Sequence, residues 1–331
     1  MAETLIVAIG FRAEADVVRA IEAIDPRIKV VTFPQIASSR PMEPEVKAKI
    51  LRGLAPVEIM LVQANTTREY YEAAPGLKWV QVIAAGVERL AEEGLLRRGF
   101  QVTNIKGLSA PAIAEWVLGT MVMLEKGLHT SVRDQVEHRW GRHFVGELTG
   151  KTVGIVGMGA IGRETSRRAR VFGMRVVATR RTAAAGASDP DCDEILSYSN
   201  LDHLLEQSDY VVLCVPLTPE TQHLIGESQF RKMKPNAKII NVARGQVIDQ
   251  DALIRALKKG TIAGAALDVT EPEPLPAESE LWDLPGVIIT PHISGSIDNY
   301  VGRANEVFTD NLRRYLAGEP LNNLVDPELG Y

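Results

Sequence analysis

The sequence lacks the features that mark secreted, metal-binding and membrane proteins. Its 331 residues include only two cysteines, Cys192 and Cys214, and neither stands in a metal-ligand spacing, so neither a disulfide framework nor a zinc site is expected. No run of eighteen apolar residues occurs, and the N-terminus has no basic region followed by a long apolar stretch. We therefore predict a cytoplasmic protein that binds no metal and does not enter a membrane.

Long runs of one charge are also missing. The 37 lysines and arginines are outweighed by 42 aspartates and glutamates, which gives a net charge of −5. A basic face for nucleic acid is not expected, and the short arginine cluster RETSRRAR is a weak alternative. A chain of this length favours about two domains. Small diffusible molecules are the predicted partners.

Short β-branched runs alternate with amphipathic segments along most of the chain, which is typical of parallel sheets covered by helices. A long apolar helix is predicted to begin at Ser109 as N-cap with Pro111 in its first turn. Residues 129–150 lose the pattern and are predicted to form a connecting arm before a second α/β unit. The last helix, over 297–316, is expected to return to the first unit. The predicted domains are 1–106 with 297–331, and 107–296.

A glycine-rich turn, GMGAIG, follows the apolar run TVGIV and precedes a helical pattern. Gly157, Gly159 and Gly162 suit a tight turn, a close approach to a pyrophosphate and close packing of helix on strand. The amides of Ala160 and Ile161 lie where the start of a helix attracts phosphate. This context favours a dinucleotide site over a tight turn without a ligand.

The next apolar run lacks the acid that usually binds the adenosine ribose of such a cofactor. It reads VVATRRT and ends in Thr179, Arg180 and Arg181. Guanidinium groups form charge-assisted bonds to a 2′-phosphate, whereas a carboxylate would repel it. We predict that NADP(H) is preferred, with Thr179 as a further hydroxyl contact. NAD(H) stays the alternative if the two arginines are only solvated.

Three later apolar runs are followed by polar residues. Open α/β sheets bind their ligands at the edge where the carboxyl ends of such strands meet. NVARG supplies Arg244, LDVTEPEP supplies Asp268 and Glu273, and TPH supplies His292. Negative charge builds on a carbonyl oxygen when hydride reaches its carbon, and a fixed guanidinium beside a proton donor lowers that barrier. These residues suit the reduction of a carbonyl compound.

The ordered motifs GMGAIG, PLTPET, NVARG, LDVTEPEP and TPHISG resemble those of the D-isomer-specific 2-hydroxyacid dehydrogenase family, and the resemblance extends over the whole chain. It implies an α/β fold of two Rossmann-like or flavodoxin-like domains with parallel sheets and an active site in the cleft between them. The first domain would bind substrate and the second would bind NAD(P).

The resemblance also implies roles for individual residues. Arg244 would bind the substrate carboxylate and polarise the keto oxygen, His292 would protonate that oxygen, and Glu273 would hold the imidazole. Asp268 and the carbonyl of Val242 would orient the nicotinamide carboxamide. Further cofactor contacts are expected at Val215, Pro216, Thr221 and Ala243. The backbone amides of Ala85, Gly86 and Val87 would hold the substrate carboxylate, and Trp140 would reach the pocket of a partner subunit.

Several activities in this family share these residues. Arginines in place of the ribose-binding acid resemble glyoxylate and hydroxypyruvate reductases, so an NADPH-preferring 2-ketoacid reductase is predicted. D-lactate, phosphoglycerate and phosphite dehydrogenases are the enzyme alternatives, and a dinucleotide-sensing corepressor is the non-enzyme alternative. The apolar helix at 109–127 and the arm beside it carry more apolar surface than one chain buries easily, which predicts a homodimer.

Overall fold

The chain divides into two compact α/β units in the computed structural model, which describes residues 4–37, 42–184 and 186–331. The first unit comprises Met1–Leu108 and Asp298–Tyr331, and the second comprises Ser109–Ile297. These bounds differ by one or two residues from the domain bounds expected from the sequence. Every strand in the two sheets pairs in parallel with its neighbours.

The sheet of the first unit has the strand order β2-β1-β3-β4-β5. Its strands are β1 (Leu5–Ile9), β2 (Ile28–Thr32), β3 (Ile59–Val62), β4 (Trp79–Val82) and β5 (Gln101–Thr103). The helices between successive strands are α1 (Ala15–Glu22), α2 (Pro44–Leu54), α3 (Arg68–Glu72) and α4 (Glu88–Glu92). All residues of β3 and β4 are buried, as expected for central strands covered on both faces.

The sheet of the second unit has the strand order β12-β11-β10-β9-β6-β7-β8. Its strands are β6 (Thr152–Val156), β7 (Arg175–Thr179), β8 (Glu194–Leu196), β9 (Tyr210–Leu213), β10 (Lys238–Asn241), β11 (Gly264–Leu267) and β12 (Val287–Ile289). Its helices are α5 (Ala110–Glu125), α6 (Leu128–Val136), α7 (Ala160–Val171), α8 (Leu201–Gln207), α9 (Glu227–Phe230) and α10 (Gln250–Lys258). The chain order therefore reverses between β6 and β9, the kind of switch point beside which open α/β sheets bind ligands.

The structure corrects parts of the expected organisation. The arm expected over 129–150 begins with helix α6, which is separated from α5 by Gly127 at a φ of 60°. Ser109 occupies the N-cap position of α5, but its side chain makes no capping hydrogen bond. Strand β8 has only three residues, which is too short for a clear alternation of apolar and polar positions.

The C-terminal helix α11 (Tyr300–Ala317) completes the first unit. Trp79 of β4 stacks on Phe308 and Tyr315, with ring centroids 5.2 and 5.7 Å apart. The indole nitrogen of Trp79 also donates a 2.7 Å hydrogen bond to the hydroxyl of Thr103. The last residues then follow β5, because the amide of Val325 donates to the carbonyl of Val102 at 2.8 Å.

Within residues 4–37, 42–184 and 186–331, no helix combines the length and the apolar character needed to cross a membrane. The same residues contain no group of three or more histidine, cysteine, aspartate or glutamate side chains that could hold a metal ion.

We expect Phe308→Ala to lower the free energy of unfolding of the first unit by about 3–5 kcal/mol, because it removes a fully buried ring stacked on Trp79. Urea unfolding followed by tryptophan fluorescence measures the change. Glu306→Ala on the exposed face of the same helix is the control and should stay within about 0.5 kcal/mol of the unchanged protein. Equal effects of the two substitutions would contradict this packing.

Candidate active site

The candidate catalytic and cofactor residues of the second unit follow neighbouring strands. His292 comes after β12, Asp268 after β11, Arg244 after β10, Val215 after β9 and the glycine-rich turn after β6, and these five strands are adjacent in the sheet. Arg180 follows β7, the next strand along. The carboxyl ends of parallel strands meet at one edge, so the fold collects residues more than a hundred positions apart.

The glycine-rich turn has the geometry that a bound pyrophosphate requires. Gly157 has a φ of 104°, which favours glycine, and a Cβ on Gly162 would lie 2.5 Å from the carbonyl oxygen of Gly157. A Cβ on Gly159 would meet no atom within 4 Å. Gly159 and Ala160 are exposed, and no side chain caps the N-terminus of α7. The turn therefore offers open space and unpaired helix amides to an anion, which fits the phosphates of a dinucleotide.

Thr179 does not take the position expected for a phosphate ligand. Its side chain is fully buried, and its hydroxyl accepts a 3.3 Å hydrogen bond from the amide of Gly157. The carbonyl of Thr179 also accepts a 2.8 Å bond from the amide of Met158. Thr179 therefore holds the glycine-rich turn against the end of β7. Its small polar side chain can face inward because the turn supplies a donor for it.

Arg180 stands at the end of β7 but is not simply solvated. Its side chain is about one-third exposed, and Nη1 donates a 2.9 Å bond to Oδ2 of Asp189. Its amide is bonded to the carbonyl of Leu196 in β8. Arg181 is exposed. The pKa of the nearby Glu220 carboxyl is lowered chiefly by a hydrogen bond with Thr218, and the charge of Arg181 also contributes.

Three other expected cofactor residues lie in the loop after β9. The hydroxyl of Thr221 donates to the carbonyl of Pro216 and accepts from the amide of Thr218, both at 2.7 Å. Thr221 is buried, whereas Pro216 is exposed. Val215 packs against the turn, since a Cβ on Gly157 would lie 2.9 Å from its side chain. The hydroxyl of Thr221 therefore organises the loop by hydrogen bonds to the backbone of neighbouring loop residues.

A buried asparagine shapes the turn that carries Arg244. The side chain of Asn241 accepts from the amide of Ala243 at 3.0 Å and donates to the carbonyl of Arg244 at 2.9 Å. Gly245 passes so close to the next loop that a Cβ would lie 2.0 Å from the carbonyl oxygen of Thr270. Val242 and Ala243 are buried. Arg244 itself is half-buried, and its Nη1 donates to the carbonyl of Ala243 at 2.8 Å.

His292 and Glu273 form a close pair. Nδ1 of His292 lies 2.7 Å from Oε1 of Glu273, and both side chains are about half exposed. The backbone of His292 has a φ of 54°, which is rare for a residue other than glycine and often marks a functional position. Because Nδ1 faces the carboxylate, Nε2 is the nitrogen that can give a proton to a substrate.

Asp268 holds the turn that carries His292. Its side chain is buried, and its two oxygens accept bonds from the hydroxyl of Thr290 at 2.5 Å and from the amides of Ile293 and Ser294 at 2.9 Å each. Its own carbonyl accepts from the amide of His292 at 2.9 Å. Such charge-assisted bonds between a carboxylate and backbone amides fix the conformation of the turn. This structural role was not expected from the sequence.

A second histidine–glutamate pair involves the loop that carries Glu273. Nε2 of His223 is 3.0 Å from Oε2 of Glu271, and the amide of Glu271 is bonded to the side chain of Gln250. His223 also has a positive φ, of 48°. Its contact with Glu271 joins the loop after β9 to the loop that carries Glu273.

The remaining candidate residues lie on other parts of the chain. Ala85 is exposed after β4 in the first unit, and its carbonyl accepts a 2.7 Å bond from the side chain of Asn104. Gly86 is partly exposed, whereas Val87 is buried. Trp140, in the arm of the second unit, is 92% exposed.

Fold and site together define an α/β protein with a dinucleotide-binding turn and a histidine–carboxylate pair at one edge of its second sheet. The family model of the D-isomer specific 2-hydroxyacid dehydrogenase, NAD binding domain, matches residues 118–294. A glyoxylate reductase from Korarchaeum cryptofilum is 38% identical over 270 residues, which cover 79% of this chain and 80% of the relative.

Two solved structures are similar over nearly the whole chain. A D-isomer specific 2-hydroxyacid dehydrogenase from Xanthobacter autotrophicus Py2, in complex with NADPH and MES, has 30% identity and a TM-score of 0.82 and covers all of both chains. An NADPH-dependent glyoxylate/hydroxypyruvate reductase from Sinorhizobium meliloti, in complex with NADP and sulfate, has 25% identity and a TM-score of 0.82 and covers 99% of this chain and all of the other. The chain belongs to the D-isomer specific 2-hydroxyacid dehydrogenase family and is an NAD(P)-dependent oxidoreductase.

We expect Asp268→Asn to lower the free energy of unfolding by about 1–3 kcal/mol, because an amide cannot accept the two backbone bonds and the Thr290 bond equally well. The turn that carries His292 should also loosen, which amide hydrogen exchange at Ile293 and Ser294 measures. Asp249→Asn is a suitable control, because Asp249 caps α10 through one amide bond and asparagine caps equally well. Unchanged exchange in Asp268→Asn would contradict the clamp.

Proposed function

We propose that this chain is an NADPH-preferring 2-ketoacid reductase that reduces glyoxylate to glycolate or hydroxypyruvate to D-glycerate. The observation that carries the proposal is the 2.7 Å contact between Nδ1 of His292 and Glu273, on the same sheet edge as Arg244 and the glycine-rich turn. The similar glyoxylate reductase and the two NADPH- or NADP-bound relatives support the substrate class and the cofactor.

Several residues of this chain would have separate roles in ketoacid reduction. The Arg244 guanidinium binds the substrate carboxylate and lies beside the keto oxygen, where negative charge develops. His292 donates the proton from Nε2 to that oxygen, and the Glu273 carboxylate keeps the imidazole oriented and compensates its charge. The amides of Ala85, Gly86 and Val87 bind the substrate carboxylate as well.

The glycine-rich turn would hold the cofactor, with the amides of Ala160 and Ile161 facing its pyrophosphate. The reduced nicotinamide supplies the hydride when it is bound. The carbonyl of Val242 and a lone pair of Asp268 that its internal bonds leave available would orient the carboxamide. Arg180 and Arg181 would meet the 2′-phosphate. We further propose a cytoplasmic homodimer in which the exposed Trp140 closes the pocket of the partner subunit.

Initial rates with a panel of 2-ketoacids and both reduced cofactors test the proposal. We expect kcat/KM for glyoxylate and hydroxypyruvate to exceed that for pyruvate, and NADPH to exceed NADH by at least about tenfold, because a charge-assisted phosphate contact contributes about 1.5–3 kcal/mol. A preference for NADH would contradict the cofactor assignment. A higher rate with a phosphorylated or longer ketoacid would contradict the substrate assignment.

Glu273→Gln tests the catalytic pair directly. The glutamine keeps the size of the side chain and a hydrogen-bond acceptor, but it loses the charge that compensates the imidazolium. We expect kcat for ketoacid reduction to fall on the order of a hundredfold, with little change in KM, because Glu273 does not bind the substrate carboxylate.

Glu271→Gln is a matched control for this measurement. Glu271 lies two positions earlier on the same loop and contacts His223 instead of His292. We expect its kcat to stay within about threefold of the unchanged enzyme, the change that about 0.6 kcal/mol would give. If both substitutions lower kcat equally, the loop as a whole is responsible and the role of Glu273 is wrong.

A further inference from the structure

Five charged side chains form a cluster beside the glycine-rich turn, which we call the arginine–aspartate cluster. Its members are Arg163 and Arg167 of α7, Arg180 at the end of β7, and Asp189 and Asp191 in the loop before β8. Arg163 contacts both aspartates, at 2.8 Å from Oδ2 of Asp189 and 2.6 Å from Oδ2 of Asp191. The cluster joins the helix that follows the turn to the loop that follows Arg180.

The two aspartates differ in what they hold. Asp189 is buried, with 3% of its side chain exposed, and accepts bonds from both Arg163 and Arg180. Asp191 is more exposed and accepts from Arg163 and Arg167. Hydrogen bonds with Arg163 are the main cause that lowers the pKa of each carboxyl, so both are charged at neutral pH. Only Asp189 contacts the arginine that stands at the cofactor end of β7.

Asp189 fixes Arg180 from the protein side. Nη1 of Arg180 is bonded to Asp189, and the buried Nε has no hydrogen-bond partner among the described residues. One-third of the side chain stays exposed, so the guanidinium is held on its inner side and can still meet a ligand on its outer side. Asp189 is too deeply buried to contact such a ligand itself.

We propose that Asp189 is a positioning residue for cofactor selection, which holds the guanidinium of Arg180 ready for a 2′-phosphate. This inference rests on the proposed preference for NADPH. An arginine that is already ordered loses less side-chain entropy when it binds phosphate. The acid that is missing from the end of β7 is thus present ten residues later and acts through the arginine instead of binding the ribose.

The negative charge of Asp189 by itself would weaken phosphate binding, because a carboxylate near Arg180 repels a phosphate. Two arginines already compensate this carboxylate, and the open side of Arg180 faces solvent, which screens the repulsion. Anchoring is therefore the stronger effect. Loss of the carboxylate in Asp189→Asn should weaken phosphate binding if anchoring dominates and strengthen it if repulsion dominates. One binding measurement therefore decides between the two effects.

The experiment measures binding of 2′,5′-ADP and 5′-AMP by isothermal titration calorimetry, which does not depend on turnover. For Asp189→Asn we expect binding of 2′,5′-ADP to weaken about fivefold, which corresponds to about 1 kcal/mol. Binding of 5′-AMP, which lacks the 2′-phosphate, should change less than about twofold. Unchanged or tighter binding of 2′,5′-ADP would overturn the proposal.

Two further variants sharpen the result. Asp191→Asn removes a carboxylate of the same cluster that does not touch Arg180, and its ratio of 2′,5′-ADP to 5′-AMP affinity should equal that of the unchanged protein. Asp189→Glu keeps the charge but cannot keep the buried geometry, so anchoring predicts weaker 2′,5′-ADP binding whereas an effect of charge alone predicts no change. Thermal unfolding checks that each variant folds. If Asp189→Asn does not fold, Asp189→Glu decides the question by the same criterion.

Arg180→Ala separates the failure of this inference from the failure of the proposed function. We expect it to weaken 2′,5′-ADP at least about tenfold while 5′-AMP is nearly unaffected. If Arg180→Ala has no such effect, the proposed role of Arg180 in cofactor preference is wrong, and the role of Asp189 fails with it. If Arg180→Ala has the effect and Asp189→Asn does not, only the positioning role is wrong.

Discussion

The parallel pairing of the strands is the constraint on which the candidate site depends. In the second unit it places the carboxyl ends of β12, β11, β10, β9, β6 and β7 along one edge in that order. Each strand end is followed by a turn that carries one element of the site. The chemistry comes from short turns, but their positions come from the hydrogen bonds of the sheet, which no single turn could provide.

Buried polar side chains then give each turn its shape. Asp268 clamps the turn of His292, Asn241 shapes the turn of Arg244, and Thr179 holds the glycine-rich turn. In each case a side chain within the protein accepts backbone amides that have no strand partner. A buried polar group that lacks a partner is costly, so these residues tie the turns to defined conformations. The turns that would contact ligand are therefore held in place by buried side chains of the same sheet edge.

Ion pairs also hold side chains in place beside the glycine-rich turn. The arginines of α7 and β7 are numerous, and most are paired with acids of neighbouring loops. These acids therefore compensate part of the positive charge that the arginine cluster shows in the sequence. Arg180 combines a contact with the buried Asp189 and a side chain that is about one-third exposed.

The sequence by itself determined the parallel α/β class, the glycine-rich turn and the strand-end residues Arg244, Glu273 and His292, because alternating apolar runs, glycines and polar residues at strand ends are local patterns. It did not predict helix α6, strand β8 or the inward role of Thr179. The tertiary structure alone decided that Asp189 contacts Arg180 and that Asp268 holds the turn of His292. Such contacts join loops distant in sequence, and their geometry depends on how the strands pair, which local patterns do not specify.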